Sequence, residues 1–130
     1  MPVVDVLSSR VLLRPVDPAR SRAFYRDVLG LAVHREFGPP DDPGLVFFVG
    51  NGLLEVSGRA AEPPRGLALW LQVRDLAAEH ARLAAAGVDV LVPPRRQPWG
   101  LLEMEVADPD GVHLVLVEVP ADHPLRRDQR

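Results

Sequence analysis

Four histidines, 18 acidic residues, 15 arginines and two tryptophans are the side chains through which this 130-residue chain could do chemistry. With no cysteine it has no disulfide, no thiolate metal site, no iron–sulfur cluster and no cysteine nucleophile. No serine stands in a nucleophile elbow, and Gly50-Asn51-Gly52 reads as a hairpin turn, not as a phosphate loop opening a helix. What remains is acid–base or metal chemistry by carboxylates and imidazoles, hydrogen bonding by guanidinium groups, and stacking on Trp70 and Trp99. His80 falls on an apolar helix stripe and reads as a half-buried structural histidine. His34 and His123 read as surface groups, and Arg20, Arg22 and Arg26 as a solvated helix face.

The elements that must position these groups belong to one ordinary domain: the chain is 47% hydrophobic and 25% charged, enough for one core. The net charge is −3 and every basic residue other than histidine is an arginine, so there is no electrostatic footprint for nucleic acid or for an anionic membrane. No stretch has the length of a bilayer span, and the N-terminus lacks a charged region followed by a long apolar run. The expectation is a soluble, cytoplasmic protein with no nucleic-acid or membrane partner.

The chain reads as two copies of one βαβββ unit. In the first, an apolar run at 11–16 precedes a helical pattern opened by Asp17-Pro18 and closed by Leu29-Gly30. In the second, a run at 67–73 precedes a helix opened by Asp75-Leu76 and closed by Ala86-Gly87. Each helix has an aspartate N-cap and a glycine after its end, and Pro18 sits at a first helical position. The stripes Phe24, Tyr25, Val28, Leu29 and Leu76, His80, Leu83, Ala84 are spaced to pack on a sheet. Strand-like runs follow at 31–37, 45–49 and 53–57, and again at 88–92, 101–107 and 113–119. The expected organisation is a single domain over 1–119, with module one at about 8–58, a linker at 58–66, module two at about 66–119, and a polar tail without periodicity at 120–130.

The stretch Asp17-Pro-Ala-Arg-Ser-Arg-Ala-Phe-Tyr-Arg-Asp-Val-Leu-Gly-Leu resembles the first-helix signature of the vicinal oxygen chelate superfamily, which includes glyoxalase I, extradiol dioxygenases, fosfomycin-resistance enzymes and bleomycin-resistance binding proteins. Ala86-Gly87-Val88, Pro98-Trp99-Gly100 and Asp108-Pro109-Asp110-Gly111 resemble its second-half markers, so the resemblance spans roughly residues 8 to 119. It implies an α+β fold: two tandem βαβββ modules forming a cupped mixed sheet, with helices on the convex side and the site on the concave side, usually in a homodimer. The superfamily's enzymes hold a divalent metal through one ligand from the first and one from the last strand of each module. The corresponding positions here are Arg10, Glu55, Ala68 and Val115. A guanidinium cannot deprotonate to become a donor, and alanine and valine have no lone pair, so neither a metal nor any other cofactor is expected. His113, two residues before Val115 and on the same strand face, leaves open a rebuilt site with Glu55 and Glu103 or Glu105.

With the metal positions taken as facing inward, alternation lists the concave face as Arg10, Leu12, Arg14, Leu53, Glu55 and Ser57 in module one, and Ala68, Trp70, Gln72, His113, Val115 and Val117 in module two. Glu103 and Glu105 join it, and Phe47 does too by its correspondence to Glu105 in the repeat. Trp70 reads as core or as cleft, and its parity with Ala68 favours the cleft. Trp99 is a sheet-edge cap or a stacking residue, and Phe37 a lid residue or a loop anchor for residues 38–44. Arg10 and Glu55 read as an ion pair replacing the metal, with guanidinium donors left for a ligand.

Two functions fit these residues. One is a metal-independent homodimeric binding protein of the bleomycin-resistance type, sequestering a planar, partly aromatic small molecule, with antibiotic resistance as its use. The other is a metal-independent or atypical-metal isomerase, lyase or dioxygenase using Glu55, Glu103 or His113 as acid or base; whether the protein is an enzyme stays open, leaning to no.

Overall fold

A computed structural model describes residues 2–125. The chain forms two compact units, Met1–Glu62 and Pro63–Arg130, and the break falls inside the proline-rich segment 58–66. The fold is α+β, with a four-stranded mixed sheet and one helical segment in each unit, consistent with two tandem βαβββ modules.

The first unit contains β1 (Val11–Leu13), α1 (Pro18–Ala23), β2 (Val33–Phe37), β3 (Gly44–Val49) and β4 (Gly52–Val56). Its sheet order is β1-β4-β3-β2, with β1 parallel to β4 and the other pairs antiparallel. β1 is shorter than the apolar run that encodes it because Pro15 has no N–H for the ladder. Asp17 caps α1 by accepting from the Arg20 N–H at 3.2 Å. The helix then widens into a π-helical turn at Phe24–Val28, where the Leu29 N–H reaches the Phe24 carbonyl at 2.7 Å. That turn buries Phe24, Tyr25 and Leu29.

The second unit repeats the plan with β5 (Ala68–Gln72), α2 (Leu76–Ala85), β6 (Val90–Arg96), β7 (Leu102–Ala107) and β8 (His113–Glu118), in the order β5-β8-β7-β6. Asp75 caps α2 through the Ala78 N–H at 3.0 Å, a bond of the kind worth about 1 kcal/mol. The Leu76 N–H goes instead to the Glu118 carboxylate at 2.9 Å. Gly30 and Gly87 close the two helical segments with φ of 85° and 80°. α2 buries Leu76 and Leu83, whereas Ala84 is exposed and His80 half-buried. β6 runs past Pro93-Pro94 to Arg96, beyond the expected end at 92. It is an edge strand with two register shifts, where missing N–H groups are tolerated.

Each sheet has one face against its helix. In the first these are Leu45, Phe47, Leu54 and Val56; in the second, Met104, Val106, Leu114 and Leu116, all buried. Among the described residues no helix is long and apolar enough to cross a membrane.

The polar tail expected at 120–130 is described as far as Leu125; residues 126–130 lie outside the described residues. Residues 120–125 are turned back rather than extended. The His123 N–H bonds the Pro120 carbonyl at 3.0 Å, and the His123 ring meets the loop before β7.

Candidate functional site

Strand pairing fixes which side chains share a face, because residues directly opposite each other point the same way. In the first unit Glu55 pairs with Val46 on one side and Leu12 on the other, so Leu12, Val46, Phe48, Leu53 and Glu55 occupy the face opposite the helix. Arg10 and Arg14, two residues either side of Leu12, reach the Glu55 carboxylate there. The Arg10 guanidinium donates to Glu55 Oε1 at 3.0 Å and that of Arg14 to Oε2 at 3.3 Å. The Ser57 hydroxyl donates to Oε2 at 2.5 Å, and Arg14 also donates to the Ser57 hydroxyl and carbonyl. The expected Arg10–Glu55 ion pair is therefore present, within a four-residue cluster.

Glu55 itself is buried. The Ser57 hydrogen bond, then those of Arg10 and Arg14, hold its carboxyl below the usual carboxylate range against the opposing effect of burial. A divalent metal does not fit these residues: the carboxylate is engaged by two guanidinium groups and a hydroxyl, and Ala68 and Val115 supply no donor. Among the described residues no group of three or more histidine, aspartate and glutamate side chains is arranged to hold a metal ion.

Phe47 does not join this face. It pairs with Leu54, is fully buried, and its ring centroid lies 6.3 Å from that of Tyr25 on the helix side. The repeat misplaces it because the two hairpins differ in length. Val49 pairs with Gly52 across the two-residue turn Gly50-Asn51, while Ala107 pairs with His113 across five residues. The residue opposite Glu55 is Val46, and the aromatic on its face is Phe48, 48% exposed, with the His34 ring 4.8 Å away. Counting outward from the Gly50-Asn51 turn would have found it. A groove lined by Val6, Leu7, Ser9, Phe48 and Leu53 opens beside this residue.

Phe37 pairs with Gly44 and its ring fills the space above it, since a Cβ at Gly44 would lie 2.4 Å from the ring. Only glycine permits this approach. The Arg35 guanidinium carbon sits 5.6 Å from the same ring. Arg22, expected on the solvated helix face, is instead buried. It donates to Asp42 at 2.9 Å and to the Pro43 carbonyl at 3.1 Å, tying the helix to the loop at 38–43.

In the second unit Trp70 pairs with Val115 and Gln72 with Val117 across β5 and β8, while Glu105 pairs with Val115 and Glu103 with Val117 across β8 and β7. All six, with Ala68 and His113, lie on the face opposite the helix. Trp70 is 53% exposed and so is not a core residue. His113 Nδ1 lies 3.2 Å from Glu105 Oε1, forming an imidazole–carboxylate pair on this face. Trp99, 58% exposed, donates its indole N–H to Glu103 Oε2 at 2.7 Å, which turns the loop tryptophan toward the same face. Behind it the His123 ring contacts the Trp99 carbonyl at 3.2 Å, a role that nothing in the tail's composition signals.

Comparison with known proteins agrees with this architecture. No curated protein matches the sequence. Among solved structures, the chain is similar to TnmS3, an antibiotic binding protein from Streptomyces sp. CB03234, with a TM-score of 0.75 at 22% identity over 92% of this chain and 100% of that one. It is similar to TioX from Micromonospora sp. ML1, with a TM-score of 0.73 at 23% identity over 85% and 97% of the two chains. A superfamily member from Sphaerobacter thermophilus DSM 20745 gives 0.66 at 24% identity over 90% and 98%. The family model for the Glyoxalase/Bleomycin resistance protein/Dioxygenase superfamily matches residues 8–116, and the chain belongs to that superfamily.

Proposed function

We propose that this protein binds a planar, partly aromatic small molecule without a metal, as a homodimer, and that sequestration of an antibiotic is its use. The observation that carries the reading is the state of Glu55. It is the one carboxylate at the four positions where the superfamily's enzymes place ligands, and it is consumed by Arg10, Arg14 and Ser57. The same cluster leaves guanidinium N–H groups beyond those on Glu55, suited to a carbonyl, phenolate or carboxylate. In the second unit Trp70 and Trp99 offer exposed indole faces, with Gln72, Glu103 and Glu105 beside them as polar partners. TnmS3, a protein of similar fold, is an antibiotic binding protein, which supports the class of ligand.

The test is tryptophan fluorescence of metal-stripped protein titrated with a panel of aromatic antibiotics and metabolites, repeated with Trp70→Ala and with added Zn²⁺, Mn²⁺ or Fe²⁺. Metal-indifferent binding that leaves the compound chemically unchanged and weakens in the variant is the expected result. Binding or turnover that requires metal overturns it.

The His113–Glu105 contact favours a second reading, a metal-independent enzyme in which this pair moves a proton. Chemical change in a bound compound that disappears in both His113→Gln and Glu105→Gln would select it.

A further inference from the structure

The Trp99 loop is held from three sides. Its own turn is closed by the Gln97 N–H on the Leu101 carbonyl at 2.8 Å and the Gly100 N–H on the Gln97 carbonyl at 2.9 Å. The indole is bound to Glu103 and the Gly100 carbonyl accepts from Arg96 at 3.0 Å. The third hold comes from the segment after β8, where His123 Nε2 meets the Trp99 carbonyl.

The orientation of His123 is set by its other nitrogen. Nδ1 accepts the Leu125 N–H at 3.1 Å, so in the neutral ring the proton sits on Nε2, which donates to the Trp99 carbonyl. The ring also lies against Gly100, whose φ is 91°; a Cβ there would stand 3.4 Å from His123 Cδ2. Arg96 and His123 thus hold the carbonyls of two successive residues, Gly100 and Trp99, one on each side of the Gly100 Cα, while the indole reaches Glu103. Trp99 is more than half exposed, so little apolar packing competes to fix it.

We propose that His123 is a positioning residue for Trp99, and that the segment after β8 sets which way the indole faces. This rests on the reading of Trp99 as a ligand contact for its use, but its test needs no ligand. The chain has two tryptophans, so Trp70→Phe leaves Trp99 as the single reporter.

In that background His123→Ala is expected to raise acrylamide quenching of Trp99 about twofold and to move the indole N–H resonance toward that of free indole. His123→Gln, whose amide can donate to the same carbonyl, restores both signals. Unchanged quenching and resonance in His123→Ala overturn the proposal, as does failure of glutamine to restore them. If no aromatic compound binds in the titrations above, the reading of the site falls while these ligand-free signals stand.

Discussion

Arg10 and Arg14 hold opposite oxygens of one carboxylate, that of Glu55, from the two positions that flank the three-residue strand β1. Two cations on one anion leave the cluster with a surplus positive charge, and Ser57 fixes its geometry by donating to the carboxylate as well.

Removing the carboxylate leaves those cations facing each other. Glu55→Ala is expected to cost about 1–3 kcal/mol, read from the urea midpoint at pH 7, with Glu55→Gln less harmful because its amide oxygen still accepts. Equal stability of all three proteins would mean the cluster contributes nothing to the fold.

The lowered pKa of Glu55 ties stability to pH with a definite sign. A carboxyl depressed in the folded state stabilises above its unfolded value, and that contribution is lost as pH falls through the folded value. The stability gap between wild type and Glu55→Gln is therefore largest near neutrality and closes in acid. Asp27, lowered by its hydrogen bond from Arg26, is present in both proteins and cancels. Urea titrations between neutral and acid pH follow the gap.

Phe47 and Phe48 are neighbours with opposite duties. Phe47→Ala empties a fully buried site against Tyr25 and is expected to cost about 3–5 kcal/mol in chemical denaturation. Phe48→Ala, on the face of Glu55 and half exposed, is expected to cost less than about 1 kcal/mol. The reverse order would refute the register.

Arg22 is the tie between α1 and the loop at 38–43, through Asp42 and the Pro43 carbonyl. Arg22→Ala is expected to speed limited proteolysis within that loop while the strands stay protected. Unaltered cleavage would show that Gly44 and the Phe37 ring hold the loop alone.

Much of this was legible in the sequence because it is local. Asp17 and Asp75 are caps, Gly30 and Gly87 are stops, and alternation along β4, β5 and β8, and carried one residue back from β1 to Arg10, placed Glu55, Trp70, His113 and Arg10 on the faces they occupy. Phe47 was not, because correspondence between repeats assumes equal hairpins and these differ by three residues. Arg22 and His123 were illegible for another reason. Their partners, Asp42 and Trp99, lie 20 and 24 positions away, and no periodicity reports a single long-range bond.

The Gly50-Asn51 turn has a consequence for how such a protein diverges. With only two residues in the connection, a single inserted or deleted residue that shifts the β3 register by one exchanges the two sides of that strand, bringing Phe47 and Leu45 to the Glu55 face and sending Phe48 and Val46 to the helix. The five-residue connection before β8 is braced by the Asp108 carboxylate, which accepts from the Asp110 and Val112 N–H groups at 2.8 and 2.9 Å. Length changes in the first hairpin are therefore an evolutionary route to a new lining in one step, whereas the hydrogen bonds onto Asp108 fix the length of the second connection.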